Sequence, residues 1–483
     1  MIRCLLLIAL LAVTYSCRDS QREDALSRNV VVIMSDDHSY RITGCYGNGH
    51  VRTPHIDRIA AEGVLFTNAY ASAPICSASR QSVLTGKYPH ATGVNLLFTP
   101  FNDQRNHTMA EHLQEHGFAT AIIGKTHFND WIYYDYWDQW PDYGFDTIIT
   151  AGDWRSHLQQ HPPREVPPEV PTRENMSHPD NIAWQKNAQM LPVPYYDEDS
   201  QGTYLAGRAV DFIRSHAGDR FFLWVAFHEP HAPFSFPVDY AGSYDPDSLP
   251  LPQAVAEDER WVPEIFRSLT EEERRGIIAS YYTSVEYMDK NVGMILDALE
   301  ETGLDENTLV VYTADQGYLL NEHGRFEKHT MWAESIKSPL IMKGPGIGER
   351  KTLEEVVELV DLAPTLFEML GIPSHEALQG ESLFPLISGS ADKPGEAAFA
   401  EYLEDNKAMV ATKKWKYVFA TGKRDLGLGY ATGKGPSGVV HRLYDLEADP
   451  GETTNLAYRN EHRETLDSLQ GMMLDWFMET HPQ

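Results

Sequence analysis

A cysteine followed closely by serines and an arginine is the first feature that could do chemistry. Residues 76–80 read Cys-Ser-Ala-Ser-Arg where a strand-like run at 64–70 gives way to a predicted helix, and Thr-Gly follows at 85–86. Small polar residues also cap the start of many helices, so this run alone has a purely structural explanation. If Cys76 is catalytic, the rest of the chain should supply a divalent metal site and several cations.

Carboxylates follow two of the strongest strand patterns. The β-branched run at 29–34 predicts a strand buried on both faces, and Asp36 and Asp37 come directly after it. Asp315 and Gln316 follow a similar run at 308–313. Carboxylate and amide oxygens suit Ca²⁺ or Mg²⁺, and open α/β sheets bind ligands at their strand ends. An Asp-rich turn that caps the next segment is the alternative for Asp36 and Asp37.

Basic side chains follow two further strand patterns. The strand predicted at 119–123 ends in Gly-Lys-Thr-His, and Lys125 and His127, two residues apart, should point to the same side. From these two residues alone, a solvated lysine and an unrelated histidine would be the favoured explanation. The strand predicted at 221–227 leads into His228, whose side chain can transfer a proton near neutral pH. Lys328 lies a short distance after Asp315 and Gln316.

Helical and strand patterns alternate along most of the chain, which predicts an α/β fold. Predicted helices lie at 53–61, 108–116, 203–216, 271–301 and 361–370. Because strand ends in a βαβ series meet at one edge of the sheet, the polar residues at five such ends should converge on one site. Beyond Ser388 the sequence changes to short strands at 397–402, 408–412 and 416–420, a turn-rich link at 443–456 and a last helix at 461–478. We therefore expect a catalytic domain at 18–388 and a C-terminal subdomain at 389–483 with a small antiparallel sheet and one packed helix.

The composition is that of a folded globular protein with an acidic charge balance. The 483 residues are 42% hydrophobic and 11% aromatic, which suits one large core and a smaller second unit. The formal net charge of −30 argues against a nucleic-acid partner, since proteins that bind nucleic acids normally present a basic face. An anionic substrate would therefore need a locally positive pocket inside an acidic protein.

The N-terminal segment 1–17 predicts export. Arg3 precedes an apolar run at 5–13 that is too short to span a bilayer, as in a secretory signal. Cys17 is placed like the acylated cysteine of a bacterial lipoprotein, although Thr14 stands where leucine is usual; ordinary cleavage is the alternative. We expect a periplasmic or outer-membrane-anchored protein. Cys45 is then either paired with Cys76 in a disulfide or, as we favour, a buried small side chain.

Residues 131–200 have the least regular pattern of the chain. Aromatic residues are dense at 131–143, and eight prolines fall between Pro162 and Pro194. A long structureless loop inside a compact domain is usually functional, so we interpret 131–200 as a specificity insertion over the site. A surface embellishment of no functional importance is the alternative.

The run at 76–86 resembles the sulfatase signature, in which C-x-[PA]-S-R is followed by T-G. The resemblance to type I sulfatases extends from Asp36 to the Leu-Tyr-Asp-Leu link at 443–446. It implies an alkaline-phosphatase-like sandwich with a large mixed, mostly parallel sheet between helices. It also implies that a maturation enzyme converts Cys76 to Cα-formylglycine, whose hydrate attacks sulfur.

The same resemblance implies roles for the strand-end residues. Ca²⁺ would be held by Asp36, Asp37, Asp315 and Gln316, with residue 76 near the metal; many relatives have Asn at the position of Gln316. The sulfate and the scissile oxygen would be surrounded by Arg80, Lys125, His127, His228 and Lys328. His228 is our choice for the general acid on the leaving alcohol.

The substrate expectation comes from two further runs. Residues 227–234 (Phe-His-Glu-Pro-His-Ala-Pro-Phe) and 44–47 (Gly-Cys-Tyr-Gly) resemble iduronate 2-sulfatases and bacterial glycosaminoglycan sulfatases. They imply an exo-acting 2-O-sulfatase on a saturated or unsaturated uronic acid from heparin or chondroitin fragments. The uronate carboxylate would need a cation, for which Arg155, Arg164 and His231 are candidates.

Three other functions stay open from the sequence. A hexosamine 6-O-sulfatase is the leading alternative within the sulfatases. A phosphodiesterase or phosphonate hydrolase of the same superfamily would need two metals and more ligands than the sequence offers. A catalytically silent glycan-capture protein would keep the fold without turnover.

Overall fold

The structure, a computed structural model, describes most of the chain. The described residues are 27–97, 99–102, 105–128, 142–176, 179, 181–259, 262–390, 396–403, 406–421 and 439–481. The predicted signal, Cys17 and the aromatic residues at 131–140 lie outside these ranges. None of the helices in the described ranges combines the length and hydropathy that crossing a membrane requires.

A mixed sheet of eight strands forms the centre of the fold. Its strands are β1 Asn29–Ser35, β2 Val64–Tyr70, β3 Ala119–Gly124, β4 Thr147–Ile149, β5 Phe221–Ala226, β6 Thr308–Ala314, β7 Leu340–Lys343 and β8 Lys351–Glu358. Their order across the sheet is β4-β3-β5-β1-β6-β7-β2-β8. Only β7 runs antiparallel to its neighbours, β6 and β2. The predicted large, mostly parallel sheet is confirmed.

Helices cover both faces of this sheet. The helices of the described chain are α1 Pro54–Ala61, α2 Cys76–Thr85, α3 Pro89–Thr92, α4 Met109–Glu115, α5 Ala151–Gln160, α6 Ile182–Gln185, α7 Gln201–Ser215, α8 Glu264–Arg267, α9 Glu271–Glu301, α10 Ala333–Ile336, α11 Leu362–Met369, α12 Phe384–Ser388 and α13 Arg463–Thr480. Helices α1, α7 and α9 pack on one face, and α2, α4 and α11 pack on the other. The result is a three-layer sandwich.

The central strands are apolar on both faces because both faces are covered. Val31 and Ile33 of β1 belong to the core under α7 and α9, whereas Val30 and Val32 belong to the core under α2 and α4. All four side chains are at most 2% exposed. The continuous β-branched run therefore reflects a strand of a parallel sheet that has no solvent face.

The C-terminal part forms the predicted small sheet with one helix against it. Strands β9 Ala397–Tyr402, β10 Lys407–Thr412, β11 Trp415–Ala420 and β12 Val440–Asp445 are all antiparallel, in the order β12-β11-β10-β9. Helix α13 packs on this sheet through Leu466 and Leu469. The segment predicted as a turn-rich link begins inside β12, because Leu443 and Tyr444 pair with Tyr417 and Lys416.

The segment predicted to be a structureless loop contains regular structure. Within 142–200 the chain forms β4, α5 and α6. Helix α5 begins with a capping box, in which Thr150 and Asp153 satisfy each other's backbone N–H groups. The prediction failed there because surrounding prolines and aromatics masked a short but well-capped helix.

Candidate active site

Four adjacent parallel strands deliver polar side chains to one edge of the sheet. β3, β5, β1 and β6 are neighbours, and at their carboxyl ends lie Lys125, His228, the Asp36-Asp37 pair and Asp315. Asp37 has a left-handed backbone (φ 59°), which turns the chain sharply after the strand. The hydroxyl of Tyr281 in α9 fixes that turn, since it donates to the Asp37 carbonyl (2.6 Å) and accepts from Ser39 N–H (2.8 Å).

Three buried carboxylates and three buried cations form the centre of the site. Arg80 Nε donates to Asp315 Oδ2 (2.8 Å), and Lys328 Nζ donates to Asp37 Oδ1 (2.7 Å). The third pair is Lys125 Nζ donating to Asp36 Oδ2. All six side chains are 7% exposed or less. The formal charges of this cluster therefore cancel without any bound ion.

The carboxylates differ in proton affinity because their neighbours differ. Burial by itself would raise the pKa of Asp36, but Lys125, His231 and Arg80 hold it well below its ordinary value. Burial and the nearby charge of Asp36 raise the pKa of Asp315 to about 6, with Arg80 opposing the shift. Asp315 is thus the better proton acceptor of the two, and a bound divalent cation would lower its pKa.

Cys76 is the first residue of α2 and lies beside this cluster. Its thiol is 1% exposed, donates weakly to Asp36 Oδ1 (3.5 Å) and lies 2.7 Å from Lys328 Nζ. Burial raises its pKa to about 12, although Lys125 and Lys328 act in the opposite direction. An unmodified thiol here keeps its proton at neutral pH and is a poor nucleophile.

Cys76 and Cys45 are both free thiols. The alternative of a disulfide between them is therefore wrong. Cys45 is half-buried and packs beside α1 against the core on the other face of the sheet from Cys76.

Gly124 allows β3 to deliver Lys125 into the cluster. It has φ +117°, and a Cβ there would lie 1.9 Å from the Ala226 carbonyl oxygen of β5. No other residue fits such a close approach of two strands. The Arg80 Nη1 group donates to the Lys125 carbonyl (3.0 Å), so the backbone that holds Lys125 is also tied to α2.

The predicted histidines lie around the cluster in neutral form. Burial, reinforced by Lys125, lowers the pKa of His127 well below its ordinary range and that of His228 to about 3. Burial lowers the pKa of His231 to about 4 against the pull of Asp36 and Asp37. His231 Nε2 lies 3.6 Å from Asp37 Oδ2.

The donor set fits a divalent cation. Ligand atoms of Asp36, Asp37, Cys76 and His231 all lie within 4.8 Å of one another. Among the described residues, Gln316 Oε1 is buried without a hydrogen-bond partner, while its Nε2 faces Asp37 Oδ1 and Cys76 Sγ. The oxygen and nitrogen of a Gln amide can exchange places by a flip of the group. After such a flip, Oε1 would point to the position that Nε2 now faces, beside Asp37 and Cys76. Carboxylate and amide oxygens suit Ca²⁺, which Asp36, Asp37, Asp315 and Gln316 would hold.

A cavity of about 170 Å³ opens beside His228 and His231. Trp154 of α5 and Tyr195, both within the predicted specificity insertion, are among the residues that line it. Arg155 and Arg164 do not line it: both are exposed, and Arg164 stacks on Tyr196 at 3.9 Å. Their assignment to a substrate carboxylate stays a prediction that this geometry does not favour.

Two residues of the site escaped the sequence reasoning. Glu229 lines the cavity with a side chain 6% exposed, and its Oε2 has no hydrogen-bond partner among the described residues. Its position in the sequence, directly after His228 at the end of β5, could have indicated that it lies in the site. Tyr281 gave none, because it lies in the middle of α9, 244 residues from its partner Asp37.

The sequence matches a known family over most of its length. The sulfatase family profile matches residues 28–372, and a profile described as the C-terminal part of N-sulphoglucosamine sulphohydrolase matches 321–478. The matched ranges contain every residue of the carboxylate and cation cluster.

Individual relatives cover nearly the whole chain. An ulvan-active sulfatase of Formosa agariphila is 30% identical over 477 residues, which cover 94% of this chain and 82% of the relative. An N-acetylglucosamine-6-O-sulfatase of Bacteroides thetaiotaomicron is 27% identical, and the match covers 95% of this chain and 88% of the relative. Mouse iduronate 2-sulfatase is 29% identical, and the match covers 75% of this chain and 72% of the relative.

Solved structures agree on the fold. A phosphonate monoester hydrolase of Agrobacterium radiobacter superposes with a TM-score of 0.78 at 23% identity, over 94% of this chain and 96% of that chain. A 2-O GAG sulfatase superposes with a TM-score of 0.67, also at 23% identity, over 94% and 92%. Together with the family match over residues 28–372, these findings show that the chain belongs to the sulfatase family, with the alkaline-phosphatase-like fold, and is a sulfuric ester hydrolase.

Proposed function

We propose that this protein hydrolyses sulfate esters of glycosaminoglycan-type oligosaccharides after export, with formylglycine at position 76 and Ca²⁺ as cofactors. The observation that carries the proposal is the charge of the buried cluster. Three carboxylates and three cations cancel, so a divalent ion leaves an excess of two positive charges in a chain of net charge −30. A sulfate monoester is an anion, and fixed positive charge stabilises the charge that its equatorial oxygens gain in the transition state.

The side chains of the cluster have distinct tasks in this reaction. With formylglycine at position 76, its hydrate would supply the oxygen nucleophile toward sulfur and a second hydroxyl for the later release of sulfate. Asp315 would accept the proton of the attacking hydroxyl. Lys328, 2.7 Å from the Cys76 sulfur, orients that group. Arg80 Nη2 makes no hydrogen bond among the described residues and lies 3.9 Å from Asp36 Oδ1, so it could donate to a sulfate oxygen.

The leaving alcohol needs a proton, and we assign its donation to His228, which lines the cavity beside the cluster. Its neutral state in the ligand-free site reflects burial and the charge of Lys125. A bound sulfate adds a negative charge that raises the pKa of a neighbouring imidazole. Lys125 and His127 would meanwhile hold the sulfate itself.

The first candidate for the sulfated position is O2 of a uronic acid. The sequence resemblance of residues 227–234 favours it, and mouse iduronate 2-sulfatase is among the relatives. His231, which lines the cavity, would be the candidate to contact a uronate carboxylate.

The second candidate, O6 of a hexosamine, has a structural observation in its favour. The described cavity lining contains the carboxylate of Glu229 and neither lysine nor arginine. Burial raises the pKa of Glu229 to about 7, and a buried carboxyl group can hydrogen-bond a sugar hydroxyl or amine, whereas this lining offers a uronate no lysine or arginine. A relative acting on N-acetylglucosamine 6-sulfate supports the same candidate.

One preparation from the native host tests the proposal. Conversion of Cys76 to formylglycine lowers the mass of its peptide by about 18 Da, the difference between a thiol and an aldehyde oxygen. The same spectrum shows whether the mature chain begins at an acylated Cys17, as predicted for a lipoprotein. Sulfate release is then compared on a uronate 2-sulfate and a hexosamine 6-sulfate disaccharide. An unmodified thiol, or faster hydrolysis of a phosphonate monoester than of either sugar sulfate, would contradict the proposal.

Removal of the metal should abolish turnover without unfolding the protein. Because Lys125, Lys328 and Arg80 already neutralise the carboxylates, we expect a folded but inactive apo enzyme, with turnover at least ~100-fold lower. Loss of the ion at 100 times its Kd also lowers the free energy of unfolding by about 2.7 kcal/mol. Sulfate release and thermal unfolding are measured after chelation and again after addition of Ca²⁺. Full sulfate release after a chelator has removed the metal would show that the reaction needs no metal.

A further inference from the structure

A second group of metal-ligating side chains lies at helix α4, outside the catalytic cluster. His107 comes two residues before this helix, and His112 and Glu115 lie within it. One ligand atom from each of the three lies within 4.8 Å of the other two. Glu115 lies four residues before the amino end of β3, whereas the active site lies at the carboxyl end of that strand.

His112 carries a buried lone pair that faces this group. Its Nε2 lies 2.8 Å from the Pro373 carbonyl oxygen, which can only accept, so the proton of the neutral ring is on Nε2. Its Nδ1 is then an acceptor, and it is buried without a hydrogen-bond partner among the described residues. The residue is 7% exposed. An imidazole held through one nitrogen by a backbone carbonyl, with the other nitrogen vacant, is the usual arrangement of a metal ligand.

His107 is oriented in a similar way. Its Nδ1 lies 3.4 Å from Glu111 Oε2, and its Nε2 lies 3.6 Å from Glu115 Oε2. The carboxylate of Glu111 is itself fixed, because it accepts the Thr108 N–H (2.7 Å) in the capping box of α4. A carboxylate on one imidazole nitrogen leaves the other directed at the metal position.

The distances match a transition-metal site that needs only a small adjustment. Ligands 2.0–2.1 Å from a tetrahedral Zn²⁺ are ~3.3 Å apart. Glu115 Oε2 lies 3.6 Å from His107 Nε2 and 4.0 Å from His112 Nδ1. The Glu115 side chain is 63% exposed and can move the remaining few tenths of an ångström.

We propose that His107, His112 and Glu115 bind a Zn²⁺-type ion at a site separate from the catalytic centre. Two imidazoles and one carboxylate select Zn²⁺, Co²⁺ or Ni²⁺ over Ca²⁺, which prefers oxygen ligands. The ion links the segment before α4 to the last turn of that helix. It therefore stabilises the fold and takes no part in sulfate hydrolysis.

The test measures Zn²⁺ binding by calorimetry on chelator-washed protein in excess Ca²⁺, which keeps the catalytic carboxylates occupied. We expect wild-type protein to bind one Zn²⁺ that the double variant H107Q/E115Q binds at least tenfold more weakly. Both substitutions are at partly exposed positions, so the buried His112 and the fold are left intact. Co²⁺ should give the visible absorption bands of a tetrahedral site in wild-type protein only, and Zn²⁺ should raise the Tm of wild-type protein by several degrees.

The matched control is H161Q. His157 and His161 of the α5 region also form a close pair, with ring centroids 4.4 Å apart, but His161 Nδ1 lies 3.3 Å from the His157 carbonyl, and no carboxylate of the described chain completes a ligand group there. We expect H161Q to bind Zn²⁺ like wild-type protein and all three proteins to release sulfate equally fast in Ca²⁺. Equal Zn²⁺ affinity of wild-type protein and H107Q/E115Q, or no measurable binding by either, would overturn the proposal. Sulfate release is recorded separately, so that outcome leaves the proposed function untouched.

Discussion

Replacing Cys76 by alanine should lower sulfate release by at least about 10⁴-fold, as removal of a covalent nucleophile does in other hydrolases. The thiol itself holds its proton because burial raises its pKa to about 12, which is why we propose that its conversion product supplies the nucleophile. The substitution removes only a small side chain from the start of α2, next to Lys328 and Asp36. We therefore expect a normal Tm, and turnover is measured on the same preparation.

Cys45→Ala is the matched control for that variant. Cys45 is also a free thiol in the described chain, half-buried and outside the carboxylate cluster. The Cys45→Ala protein should retain wild-type turnover. Sugar-sulfate binding, measured by calorimetry, should survive in Cys76→Ala because Arg80, Lys125 and the carboxylate and amide ligands proposed for the metal remain. A Cys76→Ala protein that still turns over would show that residue 76 is not the nucleophile. A wild-type protein that binds the sugar without hydrolysis would instead support a glycan-capture role.

The strand-end residues could be predicted because two local rules suffice for them. A continuous apolar run identifies a buried parallel strand, and carboxyl ends of neighbouring parallel strands meet at one edge. Asp36, Lys125, His228 and Asp315 obey both rules, and the structure brings them together. The sequence could not show how they are paired. Which cation faces which carboxylate depends on side-chain lengths and on turns such as the left-handed Asp37.

The elements that escaped prediction have weak local patterns or distant partners. Strand β8 carries four charged residues in eight and faces solvent at several positions, so its alternation is lost. Strand β12 is defined only by its pairing with β11. Tyr281 and Glu229 matter through contacts made by the tertiary fold. The pair His107 and His112 escaped attention for the same reason, since His107 lies outside the helix that carries its partner.

Replacing His228 by alanine should reduce turnover of a sugar sulfate by about 10²- to 10⁴-fold, the usual contribution of a general acid. The expected reason is specific: a sugar alkoxide is a poor leaving group and needs a proton as the S–O bond breaks. 4-Nitrophenyl sulfate has a leaving group that departs without one. The variant should therefore lose much less than tenfold on the aryl ester, and kcat is measured on both substrates.

The two substrates make this variant its own control. A loss of sulfate positioning would depress both rates equally, because both esters present the same sulfate to Arg80, Lys125 and His127. Only the loss of proton donation separates them. Glu229→Gln, at the neighbouring position in the cavity lining, should alter KM for the sugar sulfate while leaving the aryl ester unchanged, since only the sugar has hydroxyls to bind. If His228→Ala slows both esters to the same extent, His228 positions the sulfate. Lys328, whose pKa stays well above its ordinary value through Asp37 and Cys76 despite burial, would then be our next candidate for the proton donor.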